Sequence, residues 1–501
     1  MDHDFDLLVI GGGINGAGIA RDAAGRGLSV CLVEKDDLAQ HTSSASTKLV
    51  HGGLRYLEHF EFRLVRESLI ERERLLKIAP HIIWPLRFVL PHDKGLRPKW
   101  MLRLGLFLYD NLGGRKLLPP TRTVNLREAP HGDVLEKRLT KGFEYSDCWV
   151  EDARLVALNC IDAKERGADI RTRTECTHLA RDPQGWTATL RNEEGATQLR
   201  ARMVVNAAGP WVDTVLGRAS AGSLGGGEHD NLRLVKGSHL IFPKLFEGEH
   251  CYIFQNKDDR IVFAIPYERD FTLVGTTDMG FEGDPSGIQI SDEEAHYICD
   301  AVNEYLSADV APEQAVSSYA GVRPLYDDKS ASNSTVTRDY VFEVDQGESG
   351  SEPALLSIFG GKITTYRKLA EHALEKLQVA GHSWTSDAAL PGGEIDPVGF
   401  DQFVSEKTAQ YAWLPASAVA RFARAYGTRI DHIIGSAQGL NDLGEHFGGD
   451  LYARELEYLV EHEFVRSAED ALWRRSKLKL HLDEAAQARV ERWFETRKVP
   501  A

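Results

Sequence analysis

Three glycines and one carboxylate near the start of the chain have the spacing of a dinucleotide site. Gly11, Gly13 and Gly16 form the pattern G-x-G-x-x-G directly after the apolar run 5–10, and Glu34 ends the next apolar run. In such a motif the glycines permit a tight turn, admit a pyrophosphate and let a helix pack closely on the sheet. The pyrophosphate lies at the positive helix N-terminus, and the carboxylate accepts hydrogen bonds from a ribose. The segment therefore predicts dinucleotide binding rather than an ordinary βα turn.

A second strand–glycine–helix corner occurs late in the chain, at 360–364. A helix N-terminus there would suit the electron-rich end of a flavin ring, and Lys362 would add positive charge. The alternative is that the glycine pair simply begins a helix and that Lys362 is solvated. Between the corners, the hydroxyl-rich stretch 41–48 resembles a loop that wraps a bound group, and the glycines of 51–53 let backbone approach it closely.

Four cationic residues stand beside glycines or at the ends of predicted strands, namely Arg55, Arg323, Arg338 and Lys362. A guanidinium group is a planar fork that suits phosphate or carboxylate. Clustered, these residues would bind a small anion over the flavin and stabilise an alkoxide as hydride leaves carbon. Each could instead pair with one of the many surface acids. His239 is the candidate base because imidazole titrates near neutral pH, although a structural histidine on a strand is the alternative.

The strand and helix patterns around these residues predict an α/β protein with several domains. We predict a dinucleotide-binding domain from segments 1–78, 146–217 and 316–388, and an antiparallel-sheet domain from 79–145 and 218–315. Segment 389–501 has a helical period and predicts a separate domain, in which 462–463 and 473–477 are expected to be solvated helix faces.

Composition narrows the function classes. The chain has 501 residues and a net charge of −16, which argues against a general affinity for nucleic acid. Its six cysteines lack paired spacing, and no HExxH, P-loop or EF-hand pattern occurs, so neither a metal site nor disulfides are expected. No signal peptide or transit segment is visible, and no apolar run is long enough to span a bilayer.

Several stretches closely resemble the bacterial FAD-dependent (aerobic, respiratory) glycerol-3-phosphate dehydrogenases. They are 43–58, 142–152, 236–239, 275–278, 321–325, 337–340, 359–377, 462–463 and 472–475. The resemblance implies a D-amino-acid-oxidase-like fold, with a Rossmann-type FAD-binding domain, an antiparallel-sheet substrate domain and a C-terminal all-α domain. It also implies hydride transfer from C2 of sn-glycerol 3-phosphate to flavin N5 in glycerol catabolism, giving dihydroxyacetone phosphate and passing electrons to a quinone. A homodimer on the cytoplasmic face of the inner membrane, without a transmembrane helix, completes the expectation.

The resemblance also assigns residues by position. The substrate site would contain Arg55, Tyr56, His239, Arg323, Arg338 and Lys362, with Arg323 and Arg338 on the phosphate. Four of these would be catalytic, namely His239, Arg55, Arg323 and Lys362, with either His239 or one of the cationic residues as the base. FAD would be held by Gly11, Gly13, Ile14, Asn15, Gly16, Glu34, Lys35, Thr42, Ser43, Ser44, Ser46, Lys48, Leu49, His51, Gly52, Gly53, Ala208, Gly209, Trp211, Gly361, Lys362, Ile363 and Thr364.

The stretch 97–109 is apolar and is flanked by basic residues. A helix with this composition is either buried or lies in a membrane interface, and the resemblance favours the membrane. Three rival functions remain open: an oxidase of an amino acid or 2-hydroxy acid on the same fold, a glycerol-3-phosphate oxidase that uses oxygen, and a flavin-binding protein without turnover.

Overall fold

The structure is a computed structural model that describes residues 3–93, 97–220, 230–258, 260–276, 278–327, 339–347 and 350–497, apart from the side chains of His59 and Ser220. Its strands are β1 (Phe5–Ile10), β2 (Val30–Val33), β3 (Leu49–Val50), β4 (Ile83–Pro91), β5 (Arg122–Asn125), β6 (Lys141–Val150), β7 (Asp169–Arg171), β8 (Glu175–Asp182), β9 (Gly185–Asn192), β10 (Gly195–Asn206), β11 (Ala219–Ser220), β12 (Leu232–Pro243), β13 (His250–Gln255), β14 (Ile261–Tyr267), β15 (Phe271–Gly275), β16 (Met279–Phe281), β17 (Ser317–Tyr326), β18 (Val341–Asp345), β19 (Leu355–Phe359), β20 (His446–Gly448) and β21 (Leu451–Tyr452). Its α-helices are α1 (Ile14–Gly25), α2 (Phe62–Ile78), α3 (Lys99–Leu112), α4 (Asp152–Glu165), α5 (Val212–Gly217), α6 (Asp292–Asn303), α7 (Tyr366–Lys376), α8 (Phe400–Gln410), α9 (Ala416–Tyr426), α10 (Ile430–Ile434), α11 (Ala453–His462) and α12 (Glu484–Thr496).

The first sheet has a parallel centre, in the order β7-β2-β1-β10-β19. Strands β1, β2 and β19 are almost continuous apolar runs because helices cover the sheet, and α1 packs between α4 and α7. The predicted strands at 5–10, 30–33 and 355–359 are confirmed, and the first two each lead to a predicted site residue. The predicted strand from 203 is the end of the longer β10, which pairs with β9 before it joins the parallel centre.

The second sheet is built mainly from antiparallel strands, and β13, β14 and β15 form the predicted meander. Strand β12 pairs with both β15 and β17. The domain boundaries inferred from the sequence stay predictions. Strand β6 crosses the one at 145, and β17, which falls in the segment 316–388, pairs within the second sheet.

The C-terminal region is helical and has a core of its own, with one small β20–β21 ribbon. The prediction that 462–463 and 473–477 are solvated faces is wrong for the charged residues Glu463, Arg474, Arg475 and Lys477, which are buried. Opposite charges meet three of them, because Arg154 of α4 pairs with Glu463 and Asp37 pairs with both arginines. The Lys477 ammonium instead donates to the carbonyl oxygen of Trp473. Among the described helices, none has the length and apolar character that a bilayer span requires.

Helix α3 confirms the helix predicted over 97–109. It has one buried apolar face and one exposed apolar face, and so matches both environments that the sequence suggested. Leu102, Leu106 and Tyr109 are buried against the rest of the protein. The opposite face exposes four apolar side chains, with Trp100 66% and Phe107 63% exposed, beside Met101 and Leu104. Burial therefore accounts for a minority of the apolar residues in this helix.

His81 lies where the first part of the chain meets the C-terminal region. The side chain is fully buried, and neither ring nitrogen has a hydrogen-bond partner in the structure. Its ring adjoins the backbone of Gly392 and Gly427. Burial, reinforced by Arg154 and Arg424, lowers the pKa of His81 to about 3 from its ordinary 6.5. The folded protein therefore holds this imidazole neutral.

We expect stability to fall as the pH drops from about 7 to about 5, and to fall less in His81→Leu. Below the ordinary pKa of histidine, His81 binds a proton in the unfolded chain but not in the folded chain. For a folded pKa of about 3, this difference favours unfolding by about 2 kcal/mol at pH 5. Urea unfolding at the two pH values measures the difference. The exposed His382→Leu is the control, and equal pH dependence of the two variants would contradict the assignment.

Candidate functional site

The first strand–glycine–helix corner is formed by the end of β1 and the start of α1. Gly11 has φ +115°, and a Cβ there would overlap the carbonyl oxygen of Ala207. A Cβ on Gly16 would overlap the carbonyl oxygen of Gly11. Only glycine allows this approach of helix, turn and neighbouring strand. The first N–H groups of α1 consequently face the space beside the turn.

The second corner follows β19 and lies directly against the first. Gly360 and Gly361 have φ +75° and +98°, and a 3₁₀ turn, Ile363–Thr365, leads into α7. Asn15 Nδ2 of α1 donates a hydrogen bond of 3.1 Å to the carbonyl oxygen of Gly360. The two helix N-termini are thus held together, as expected for corners that serve one ligand.

Two adjoining cavities open on these corners, of about 320 Å³ and 300 Å³. Ile14, Thr42, Ser43 and Gly361 line both, so a single long ligand can pass from one cavity to the other. The smaller cavity, here the adenosine cavity, has in its wall the predicted residues Gly11, Gly13, Asn15, Glu34, Lys35, Ala208, Gly209 and Trp211. The larger one, here the flavin cavity, has Ser46, Leu49, His51, Gly53, Arg55, Tyr56, His239, Arg323, Lys362, Ile363 and Thr364.

Some predicted residues do not line either cavity. Lys48 is buried in an ion pair with Asp152 at 2.9 Å, and its charge fixes the loop rather than facing the ligand space. The N–H of Gly52 donates to the Tyr109 hydroxyl at 2.7 Å and is therefore not available to a ligand. Gly16 and Ser44 are likewise absent from both walls, and Arg338 lies outside the described residues.

Glu34 is placed as a ribose ligand would be. Its carboxylate accepts hydrogen bonds from the N–H groups of Gly12, at 2.6 Å, and Asp36, at 2.9 Å. Burial raises the pKa of Glu34, and these two N–H groups oppose the rise. A carboxylate so fixed keeps lone pairs for hydroxyl donors in the adenosine cavity.

The cations of the flavin cavity differ in how they are held. Arg323 pairs with Asp278, and its Nη2 donates to Thr276 Oγ1 at 3.1 Å. Lys362 Nζ lies 3.9 Å from the centre of the Tyr56 ring. Arg55 has neither an ion pair nor a hydrogen bond from its side chain within the described part of the chain. Its guanidinium is the one of these three with donors uncommitted to a carboxylate or an aromatic ring.

His239 is buried in the wall of the same cavity. Its Nε2 lies 3.1 Å from Thr47 Oγ1, its ring stacks on Tyr319, and Nδ1 has no hydrogen-bond partner in the structure. Burial, then the charges of Lys48 and Arg323, lower the pKa of His239 well below its ordinary value. The imidazole is therefore neutral near pH 7, the form that can accept a proton.

The structure adds cavity residues that the sequence did not single out as ligands. In the flavin cavity they include Phe88, Tyr145, Ile253 and Phe263, which give it an apolar part, and the polar or charged Thr47, Arg260, Thr276 and Asp278. Thr276 has φ +118°, an unusual conformation for a residue with a side chain and one that concentrates at functional sites. The sequence stretch 275–278 was available as a signal, but nothing local indicated that it faces Arg323.

Comparison with known proteins identifies the family. Residues 6–367 match the profile described as "FAD dependent oxidoreductase", and residues 383–496 match the "C-terminal domain of alpha-glycerophosphate oxidase". The chain belongs to the FAD-dependent oxidoreductase family. FAD is its cofactor, and the predicted D-amino-acid-oxidase-type fold with a C-terminal helical domain is confirmed. The glycine corners, the two continuous cavities and the buried Glu34 fit FAD in this structure.

This FAD-dependent oxidoreductase has full-length relatives. It is 52% identical to D-erythritol 1-phosphate dehydrogenase of Brucella abortus, covering 99% of each chain. It is also 52% identical to glycerol-3-phosphate dehydrogenase of Pseudomonas aeruginosa, covering 98% of this chain and 95% of that one. The structure of glycerol-3-phosphate dehydrogenase from Bacillus halodurans complexed with FAD matches with a TM-score of 0.75 and 29% identity, covering 98% and 94% of the two chains.

Proposed function

We propose that this protein oxidises the secondary alcohol of sn-glycerol 3-phosphate to dihydroxyacetone phosphate and passes the electrons from FAD to a quinone. The observation that carries the proposal is one cavity in which Arg55, Arg323 and Lys362 surround the neutral His239 beside the second glycine corner. Cations suit a phosphate, and a neutral imidazole suits removal of a hydroxyl proton. The names of relatives at about 50% identity agree with this substrate class.

The residues divide the work of such a reaction. FAD supplies the hydride acceptor when bound. Arg55 and Arg323 would hold the phosphate, together with Arg338 as the sequence predicts, and so orient the substrate hydroxyl. His239 would accept the hydroxyl proton at a ring nitrogen, while Lys362 stabilises the negative charge that develops on oxygen.

A second substrate is favoured by one specific observation. The relative named D-erythritol 1-phosphate dehydrogenase is as similar to this chain as the relative named glycerol-3-phosphate dehydrogenase. Both substrates are phosphorylated polyols with a secondary alcohol, so the same cations and the same base would serve either one. They differ in chain length, and the flavin cavity residues away from the cations would decide between them.

Anaerobic reduction of the bound flavin tests the function directly. We expect sn-glycerol 3-phosphate to bleach the flavin absorbance of the purified protein, and glycine, sarcosine and 2-hydroxyglutarate to leave it unchanged. D-Erythritol 1-phosphate in the same series decides between the two polyol phosphates. Bleaching by an amino acid or hydroxy acid alone would overturn the proposal, as would a flavin that no substrate reduces. Oxygen uptake without added quinone would indicate an oxidase.

Arg55→Ala should raise the KM for the phosphorylated substrate at least about tenfold while FAD is retained, since a charge-assisted hydrogen bond to phosphate is lost. Arg323→Ala should have a larger effect, because it also removes the ion pair between Arg323 and Asp278 at the cavity. Steady-state kinetics with a quinone analogue measures both. Arg63→Ala removes an exposed arginine outside the cavity as a control. Loss of flavin with an unchanged KM would contradict the assignment.

We infer that the protein works as a homodimer on the cytoplasmic face of the inner membrane. Contact with the membrane is supported in this chain by the stripe on α3, defined as Trp100, Met101, Leu104 and Phe107. The stripe is exposed beside the basic Lys99 and Arg103. Phe60, just before the neighbouring α2, and Phe62, the first residue of α2, are exposed as well. Aromatic and apolar side chains edged by cations suit insertion at the headgroup level of a membrane. A quinone dissolved in the same membrane would then be within reach.

Trp100→Glu with Leu104→Glu should abolish cosedimentation with vesicles of anionic phospholipid, because two charges would enter the apolar layer. Reduction of a soluble dye by the substrate should remain. Val398→Glu, which changes a more exposed apolar residue in the C-terminal region, is the matched control and should still cosediment. Unchanged vesicle binding of the double variant would count against this surface.

A further inference from the structure

The turn that follows β2 separates the adenosine cavity from the C-terminal helical domain. On one side, Glu34, Lys35, Ala39 and Gln40 line the cavity. Ala39 has φ +62°, and its N–H donates to the carbonyl oxygen of Gly12 at 3.1 Å, so the turn is bonded to the first glycine corner. On the other side, Asp37 points away from the cavity and is buried. The position of the cavity wall therefore depends on what holds Asp37.

Two consecutive arginines of the C-terminal domain hold Asp37. Arg475 binds its carboxylate in bidentate fashion, with both contacts at 2.8 Å, and Arg474 Nε adds a third contact at 2.6 Å. Both arginines lie in a π-helical turn, Asp470–Arg475. Such turns are rare in helices and are often found at functional sites. The carboxylate is fully buried, so its charge depends on these two partners.

The same π-helical turn also holds the segment that follows β7. Its first residue, Asp470, pairs with Arg173 at 2.6 Å. The N–H of Arg173 donates to the carbonyl oxygen of Asp36 at 2.9 Å, and that of Thr174 donates to the carbonyl oxygen of Glu34 at 2.7 Å. Thr174 lines the adenosine cavity. One turn of the C-terminal domain thus holds two backbone segments that are hydrogen-bonded to each other at the cavity wall.

A further ion pair anchors this turn to the body of the protein. Arg475 Nε and Nη2 donate to the carbonyl oxygen of Glu463 at 3.0 Å and 2.9 Å. The carboxylate of Glu463 pairs with Arg154 of α4, with one contact at 3.0 Å, and all three side chains are buried. Removal of Glu463 or Arg154 leaves the other member of that pair as an uncompensated buried charge.

We propose that Asp37, Arg474 and Arg475 are positioning residues for FAD, through which the docked C-terminal domain holds the wall of the adenosine cavity in its binding shape. The proposal rests on the placement of the ADP half of FAD in that cavity. Binding of FAD and docking of the domain stabilise the same arrangement of the turn after β2, so each strengthens the other. The C-terminal domain contributes to cofactor retention without contacting the cofactor.

Arg475→Met in the full-length protein tests the coupling. We expect its Kd for FAD to rise roughly tenfold or more, within the usual range of coupling between sites. The rise is measured by recovery of flavin fluorescence on dilution of the holoprotein. With FAD in excess, kcat and KM should stay within about twofold of the wild type, since the flavin cavity is untouched. Arg475→Lys should recover part of the affinity, because it restores the charge without the bidentate contact.

The matched control is Arg421→Met. Arg421 makes a bidentate pair with Glu455, at 2.5 Å and 2.8 Å, inside the C-terminal domain and away from the cavity walls. Its loss should lower thermal stability and leave the Kd for FAD unchanged. Equal weakening of FAD binding by both variants, or none by Arg475→Met, would overturn the proposal.

Two more variants keep the test decisive. If Arg475→Met does not fold, Arg173→Met takes its place. Arg173 is partly exposed, and its substitution removes only the ion pair with Asp470. It should raise the Kd for FAD several-fold, and an unchanged Kd would overturn the proposal. Glu34→Ala tests the placement of the ADP half separately. If Glu34→Ala leaves FAD affinity unchanged, that placement is wrong, whatever the arginine variants show.

Discussion

The contact on which the whole site depends is the hydrogen bond from Asn15 to the carbonyl oxygen of Gly360. It joins two corners that are 345 residues apart in the chain, and it can form only because glycines bring the backbones close together. Helices α1 and α7 therefore direct their N-termini at one space. A long ligand with an anionic centre and an electron-accepting ring meets both helix ends at once.

The flavin cavity is a cationic site in an acidic protein. The net charge of −16 would repel a phosphorylated substrate at long range, so recognition must come from the local arrangement. The three cations differ in how they are held. Arg323 pairs with Asp278, Lys362 lies against an aromatic ring, and Arg55 keeps its guanidinium donors available. Burial, with the positive charges of Lys48 and Arg323, keeps His239 neutral. Arg323 therefore belongs both to the cationic set of this cavity and to the electrostatic surroundings of His239.

Two peripheral elements are tied directly to the cofactor space. Helix α3, which carries the exposed apolar stripe, also carries Tyr109, whose hydroxyl contacts Gly52 and Asp147, and Asp147 lines the flavin cavity. The C-terminal domain reaches the adenosine cavity through Asp37. Both connections are buried hydrogen bonds or ion pairs. They therefore fix the positions of the groups that they join, in addition to packing against them.

The dinucleotide corner, the second glycine corner, the meander and the helical C-terminal region could all be predicted from the amino-acid sequence, because each follows from local spacing and periodicity. Motifs that resemble a known family also singled out Arg55, His239, Arg323 and Lys362, which line one cavity. Which charges pair with each other could be learned only from the folded chain. Lys48 faces Asp152 rather than the ligand space, Arg323 meets Asp278, and the arginines at 474 and 475, predicted to be solvated, are buried against Asp37. Pairing of charges distant in the chain leaves no periodic trace, since a charged residue has the same sequence pattern on a solvated face and at a buried contact.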